Sequence, residues 1–369
     1  MRIGFDAKRA FLNASGLGIY SRNTIHAIQH FSPENQIVLY TPDARSDLFP
    51  HHQGFEIQTP ESKLFKLLKS IWRSYTASHL AKHKIELYHG LSNELPIGIH
   101  KTSIPSVVTI HDLIFLRFPE FYKLIDRKIY FSKVKYAVEN AHKIVAISEQ
   151  TKEDIIRFFN VDPAKIELIY QSVSPVFYQK QETEKIRAKY KLPLRFILSV
   201  GSLESRKNQM AILRALVAEK IDISVVFVGK HTSYFTKMSQ FIEANGLEKQ
   251  VIFLPHIEDS ELASLYQMAI FSVYISFFEG FGLPVIEAMA SGCPVITSNV
   301  SCLPETAGDA AVLCAPGDYA TLGKQMKEIL ENDDHRQELI IKGRKRAELF
   351  HQKMFAEKMI ELYNKVLKR

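Results

Sequence analysis

The sequence predicts an α/β protein in two halves, each built on a mostly parallel sheet. Three observations carry that expectation. Short β-rich runs alternate with helical stretches along the chain, which is the pattern of βαβ units. The alternation pauses at Gln171–Gln181, around Pro175, and then restarts. In both halves a strand passes into a helix through a glycine-bearing loop.

The chain opens on a strand over residues 2–6. The loop Asn13-Ala14-Ser15-Gly16-Leu17-Gly18 follows and leads to an amphipathic helix from Ile19 to His30. Strand, glycine loop and helix start together resemble a phosphate-binding turn, although Ser21 stands where GxGxxG would carry its third glycine. A plain turn is the competing reading. Strands are expected at Ile37–Tyr40 and Phe55–Gln58. A long helix over Ser62–His83 sets Leu64, Phe65, Leu67, Leu68, Ile71, Trp72 and Tyr75 among Lys63, Lys66, Lys69 and Arg73. It is either an interfacial helix for an anionic membrane or a buried face backed by solvated cations. Strands at Ile85–His89 and Ser106–Ile110 end in Gly90-Leu91-Ser92-Asn93 and in His111-Asp112. The carboxyl ends of parallel strands face the ligand crevice, which singles out His111 and Asp112. Glu120–Ala141 reads as a second basic, aromatic helix. Ile144–Ile147 is a strand, Ser148 or Thr151 caps a helix through Phe159, and Lys165–Tyr170 is a further strand.

The second half restarts with a strand at Phe196–Val200, the loop Gly201–Asn208 and a helix to Val217. Arg206 and Lys207 lie just past that strand, where two cations can neutralise a diphosphate. Ser224–Val228, the helix Ser233–Asn245, the strand Val251–Leu254 and the helix Asp259–Met268 follow. After a β-rich run at Ile270–Ile275 comes Ser276-Phe277-Phe278-Glu279-Gly280-Phe281-Gly282-Leu283-Pro284-Val285-Ile286-Glu287. Pro284 suits the first position of a short helix that ends near Gly292. Glycines let the backbone approach a ligand, and a helix start offers N–H groups and positive dipole to an anion. That geometry suits a phosphate or diphosphate. Glu279 and, in the helix's first turn, Glu287 are repelled by such a ligand unless aimed at its hydroxyls, which carboxylates accept in pairs. The plainer reading makes Glu287 a dipole partner and Glu279 a solvated loop residue. Strands at Pro294–Ser298 and Ala310–Cys314 precede a charged helical tail that ends in a helix over Phe350–Lys368.

With 46% hydrophobic and 24% charged residues, the 369-residue chain is globular rather than disordered. It has no apolar run of about 18 residues and no signal-peptide core at its start, so a cytoplasmic protein without a spanning helix is expected. A net charge of +7 and a pI near 9.0 are compatible with nucleic acid, anionic lipid or a phosphorylated substrate. The sequence carries no RNP, zinc or helix-turn-helix motif, which argues against nucleic acid. Cys293, Cys302 and Cys314 lack the spacing of a zinc site or a disulfide framework and read as reduced thiols.

The string Glu279-x7-Glu287 with Gly-Phe-Gly-Leu-Pro between resembles the signature of the group 1 (family 4) retaining glycosyltransferases of GT-B fold. The resemblance implies two Rossmann-like domains with parallel sheets facing across a cleft. They would span 1–174 for the acceptor and 175–349 for the donor, with the helix over 350–369 packing back on the first. It implies that Glu279 and His111 flank the transferred sugar as catalytic residues. Glu287 would hold the ribose, and Gly16, Gly18, Phe281, Gly282, Leu283, Arg206 and Lys207 the diphosphate and sugar. Ile257 would meet the base through its main chain, and Asn93 and Asp112 would lie on the acceptor side. Ile19 stands where many members carry Arg.

The implied reaction moves a hexose from a GDP- or UDP-linked sugar to a glycan or lipid-linked acceptor in surface polysaccharide synthesis. Mannose from GDP is preferred, neither metal nor cofactor is needed, and retention follows from same-face attack. A nucleotide-sugar epimerase, a sugar phosphorylase or a two-lobed sugar-binding protein are the alternatives. The basic segments at 62–84 and 121–136 would place the enzyme peripherally on the inner membrane face.

Overall fold

Each half of the chain folds around near-continuous apolar runs, the signature of strands covered on both faces. Ile37-Val38-Leu39-Tyr40 and Val225-Val226-Phe227-Val228 are two such runs, and every one of these residues is buried. The structure is a computed structural model that describes residues 1–44, 47–50, 52–60, 69–255 and 257–368. The first sheet contains β1 (Arg2–Asp6), β2 (Gln36–Tyr40), β3 (Glu56–Gln58), β4 (Leu87–Gly90), β5 (Ser106–Ile110), β6 (Lys143–Ala146) and β7 (Ile166–Leu168). The second contains β8 (Phe196–Val200), β9 (Ser224–Val228), β10 (Val251–Leu254), β11 (Phe271–Tyr274), β12 (Val295–Ser298) and β13 (Val312–Cys314).

Their orders are β3-β2-β1-β4-β5-β6-β7 and β10-β9-β8-β11-β12-β13. All neighbouring strands are parallel. Both are doubly wound sheets whose order reverses at one point, β1 beside β4 and β8 beside β11. Open α/β sheets bind ligands outside the carboxyl ends of the strands at such a point. The chain divides into two compact units, Met1–Ser172 with Gln352–Arg369, and Val173–His351. The terminal helix, Gln352–Leu367, packs on the helix Gly16–Phe31. Its Tyr363 hydroxyl lies 2.6 Å from His89 Nδ1. No helix among the described residues is long and apolar enough to cross a membrane.

Several local expectations are corrected. The long helix expected over Ser62–His83 does not run through. Its first part lies outside the described residues, and the rest forms two short helices, Lys69–Ser74 and Ala77–Leu80. Trp72 and Arg73 are buried there, so Arg73 is no part of a solvated cationic face. The helix expected from Ile19 begins at Gly16, and a further short helix, Lys8–Leu12, precedes it.

Gly16 and Gly18 therefore lie in a helical turn, and their needs differ. A Cβ on Gly18 would sit 1.7 Å from the Asn13 carbonyl oxygen, whereas one on Gly16 would meet nothing within 4 Å. Gly18→Ala is expected to cost about 1–3 kcal/mol of stability, because backbone must shift to admit the methyl group. Gly16→Ala is expected to be neutral or to stabilise by up to about 1 kcal/mol. Thermal melts of the two variants check the pair.

Candidate functional site

In the second unit the carboxyl ends of β8 and β11 bring the predicted residues together. β8 runs into Gly201, whose φ is +136°, and then into a single 3₁₀ turn, Ser205–Lys207. A Cβ on Gly201 would lie 2.9 Å from Lys207 Cδ, so the missing side chain makes room for the lysine stem. Asn208, at φ +57°, ends the turn, and its Nδ2 donates to the carbonyls of Ile275 and Pro316. The Phe277 N–H donates to the Arg206 carbonyl at 2.8 Å. These bonds tie the turn after β8 to the loop after β11.

Glu279 receives both cations. Arg206 Nη1 is 2.9 Å from Oε2, and Lys207 Nζ is 3.0 Å from Oε1. Lys207 also donates to the Tyr274 hydroxyl at 2.7 Å, and Arg206 Nη2 pairs with Glu204 at 3.1 Å. Glu279 is only 8% exposed. Burial alone would push its pKa up, but the two cations overcome it and hold the carboxyl at about 2. The expectation of two cations waiting for a diphosphate is thus refined. They are already paired, and an arriving anion competes with Glu279 or uses their spare donors. A lysine ammonium has three N–H groups, of which Tyr274 and Glu279 take two.

Gly282, at φ +99°, forms the N-cap of the helix Leu283–Ala290, and a Cβ there would lie 2.6 Å from Leu303 Cδ2. Leu283 is the first helical residue and Pro284 the second. Glu287 therefore belongs to the second turn rather than the expected first, which weakens the plainer reading of it as a dipole partner. It is 8% exposed and titrates near 8. Burial and the nearby Asp259 charge raise it, while Tyr266 and Lys207 pull the other way. The two glutamates are thus separated by environment, one held ionised and the other neutral below pH 8. The loop between them is anchored from behind. Ser301 Oγ accepts from Glu279 N at 3.2 Å, and Thr306 Oγ1 donates to the Phe281 carbonyl at 2.5 Å. Ile257 is buried after β10.

In the first unit the predicted residues cluster at the ends of β4 and β5. His111 is 4% exposed. Its Nε2 lies 2.8 Å from the Leu91 carbonyl, which can only accept, so Nε2 carries the proton. Its backbone N–H donates to Asn93 Oδ1 at 2.8 Å, its carbonyl accepts from Thr151 Oγ1 at 3.1 Å, and its ring stands T-shaped to Tyr20 with centroids 4.6 Å apart. Burial lowers its pKa to about 4 against the raising effect of Leu91, with Arg9 adding to the drop, so the imidazole is neutral. Asn93, at φ +59°, spends Oδ1 on holding His111, and Asp112 Oδ1 accepts from Ile114 N at 3.2 Å.

Residues that the sequence did not single out complete both clusters. Asp6 at the end of β1 is paired with Arg73, and Arg73 Nη1 reaches Glu94 at 2.9 Å. His89 Nε2 and the Tyr20 hydroxyl both meet Thr109 Oγ1, at 2.8 and 2.9 Å. In the second unit Tyr274, Glu204, Ser301 and Thr306 are the additions. Among the described residues no three His, Cys, Asp or Glu side chains converge as metal ligands. The three cysteines are buried and unbridged.

Two parallel doubly wound sheets with these strand-end clusters define a GT-B fold, and solved structures agree. A sucrose-phosphate synthase from Thermosynechococcus elongatus superposes with a TM-score of 0.82 at 22% identity, covering 100% of this chain and 99% of that one. An Anabaena protein solved in complex with UDP-glucose gives 0.79 at 17% identity, covering 99% and 100%. The glycosyl transferases group 1 model matches residues 181–346, and the glycosyltransferase family 4 model matches residues 15–176. The chain belongs to the group 1 glycosyltransferases and is a sugar-transferring enzyme. That membership favours transfer over the epimerase, phosphorylase and binding-protein readings. O-antigen chain mannosyltransferase B of Escherichia coli is 29% identical over 279 residues, 73% of this chain and 72% of that protein. O-antigen chain mannosyltransferase RfbU of Salmonella typhimurium is 29% identical over 279 residues, 74% of each chain.

Proposed function

We propose that this enzyme is a retaining, metal-independent hexosyltransferase. It moves mannose from a GDP-linked donor to a glycan or lipid-linked acceptor in surface polysaccharide synthesis. The observation that carries the proposal is the Arg206–Lys207–Glu279 network beside the helix start at Gly282, placed at the β8/β11 reversal point. The choice of mannose and of the pathway rests on the names of the two O-antigen relatives.

Charge builds on the leaving diphosphate as the bond from sugar to phosphate breaks. Arg206, Lys207 and the amides at Gly282 and Leu283 supply the stabilising field. The acceptor oxygen bonds to the same face of the sugar, and its proton passes to the departing phosphate oxygen. Glu279 orients sugar hydroxyls, and Glu287 accepts the ribose hydroxyls. Neutral His111 offers the developing positive sugar the spare lone pair of its carbonyl. Gly16, Gly18, Phe281 and Ile257 complete the donor contacts, and Asn93 and Asp112 frame the acceptor.

The helix Leu124–Asn140 supports a peripheral membrane position. Of its residues only Val134, Ala137 and Val138 are buried. Leu124 and Ile125 are 70% and 73% exposed, and Ile129, Tyr130 and Phe131 are exposed beside Arg127 and Lys128. An apolar patch rimmed by cations fits an anionic leaflet. Sedimentation with anionic but not neutral vesicles is expected, and Leu124→Ser with Ile125→Ser should abolish it. Equal pelleting with both vesicle types counts against the reading.

A thermal-shift panel of nucleotides and nucleotide sugars with EDTA present tests the donor. GDP and GDP-mannose are expected to raise the midpoint, with about 2.7 kcal/mol gained at a hundred times Kd. A shift that requires metal, or none with any nucleotide, overturns the proposal.

A further inference from the structure

We propose that Lys8 and Arg9 form a subsite for a phosphoryl group of the acceptor, at the point where the order of the first sheet reverses. The inference rests on the reading of the first unit as the acceptor side. β1 and β4 are the neighbours at the reversal, and β1 ends at Asp6 with Lys8 and Arg9 directly beyond it. The carboxylates there are already satisfied. Asp6 is paired with buried Arg73, and Glu94 lies between Arg73 at 2.9 Å and Lys133 at 3.1 Å. Two carboxylates thus face two cations that pair with them, and Lys8 and Arg9 add two positive charges that no described carboxylate pairs. The close turn after β4 holds this balance in place, since a Cβ on Gly90 would lie 2.1 Å from the Glu94 carbonyl oxygen.

Arg9 Nε is buried and has no hydrogen-bond partner among the described residues. A buried guanidinium N–H without an acceptor is costly unless a ligand supplies one. Neither side chain is a solvated surface cation, since both Lys8 and Arg9 are part-buried. Burial and the Arg73 charge depress the Lys8 ammonium against the opposing pull of Glu94 and Asp6, and Arg9's charge contributes both to that drop and to holding His111 neutral. An anion between the two would relieve both effects. A phosphoryl group fits better than a single carboxylate, because it carries up to two charges and three oxygens for an arginine fork and an ammonium.

The probe is inorganic pyrophosphate, titrated calorimetrically into the full chain saturated with the nucleoside diphosphate that the thermal-shift panel identifies. One further pyrophosphate per chain is expected. Its Kd should rise at least tenfold in Lys8→Gln and in Arg9→Gln, with a smaller rise in Arg9→Lys, which keeps the charge but lacks the fork. In the assay both neutral variants should raise KM for the acceptor and leave the nucleotide Kd unchanged. No uptake by the saturated protein, or uptake indifferent to both substitutions, overturns the subsite. A raised nucleotide Kd in these variants assigns the cations to the donor's diphosphate and overturns the acceptor assignment. If no nucleotide binds at all, the donor reading fails separately, and the response of pyrophosphate binding to Lys8→Gln and Arg9→Gln still decides this one.

Discussion

Glu279→Gln is expected to lower the transfer rate at least a hundredfold, about 2.7 kcal/mol of lost transition-state stabilisation, while leaving nucleotide affinity equal or higher. Both halves of that result follow from one network. The carboxylate neutralises Arg206 and Lys207 at 2.9 and 3.0 Å, so in the free enzyme it competes with any diphosphate for the same donors. The amide keeps the shape and removes the competition, but it cannot hold sugar hydroxyls as a charged acceptor. Stability should fall by about 3 kcal/mol, because two part-buried cations lose their partner. The wild-type pH profile separates this effect from catalysis. Glu279 titrates near 2 when folded against an ordinary 4.5. Its contribution to stability is therefore present above pH 4.5 and is lost as pH falls toward 2. The variant should lack that acid limb and regain midpoint temperature when nucleotide fills the site. Steady-state kinetics with denaturation at several pH values checks the set, and a variant with full transfer activity would remove Glu279 from the mechanism.

The fold was legible because strands covered on both faces are near-continuous apolar runs, and Ile37–Tyr40, Phe196–Leu198 and Val225–Val228 announce themselves in that way. The glycine-rich string from Glu279 to Glu287 was legible for a related reason. A loop that turns at φ +99° with no room for a side chain has few alternatives to Gly282. The first unit was harder. Arg73 sits in a stretch of lysines and aromatics that reads as a surface helix, and only its partners Asp6 and Glu94, 67 and 21 positions away, reveal it as internal. The tie from Tyr363 through His89 and Thr109 to Tyr20 joins residues up to 274 positions apart, a separation that no local pattern encodes. Geometry within one motif, where neighbours in sequence are neighbours in space, could be read. Long-range pairing of ordinary polar residues could not, because each looks like a routine surface or core residue until its partner is known. The pairing of Arg206 and Lys207 with Glu279 belongs to this second kind. Both ends were singled out, but nothing in their spacing said that they would meet in the absence of a ligand.

Nucleotide binding is expected to release close to one proton per chain at pH 7. Affinity should rise almost tenfold per pH unit through 7 and level off above 8. Glu287 titrates near 8 in the free enzyme, because burial and the Asp259 charge disfavour its ionised form. A carboxylate that accepts two ribose hydroxyls must be ionised, so the ligand selects the form that is scarce at neutral pH. Each pH unit below 8 then costs binding about 1.4 kcal/mol. The same shift has an opposite signature in the free protein. The folded state keeps a proton that the unfolded chain loses near 4.5. Stability from this group is therefore full below pH 4.5, declines as pH rises toward 8 and is constant beyond. Raising the pH thus weakens the empty fold while strengthening the complex, a combination that a ribose contact through neutral groups would not produce. Glu287→Gln should flatten both profiles, abolish the proton release and leave affinity at or below the wild-type value at pH 6. Calorimetry in two buffers of different ionisation enthalpy measures the proton directly, with the variant correcting for titration of the nucleotide's own phosphate. Equal proton release in wild type and variant, or wild-type affinity that is flat from pH 6 to 9, would exclude Glu287 as the ribose acceptor.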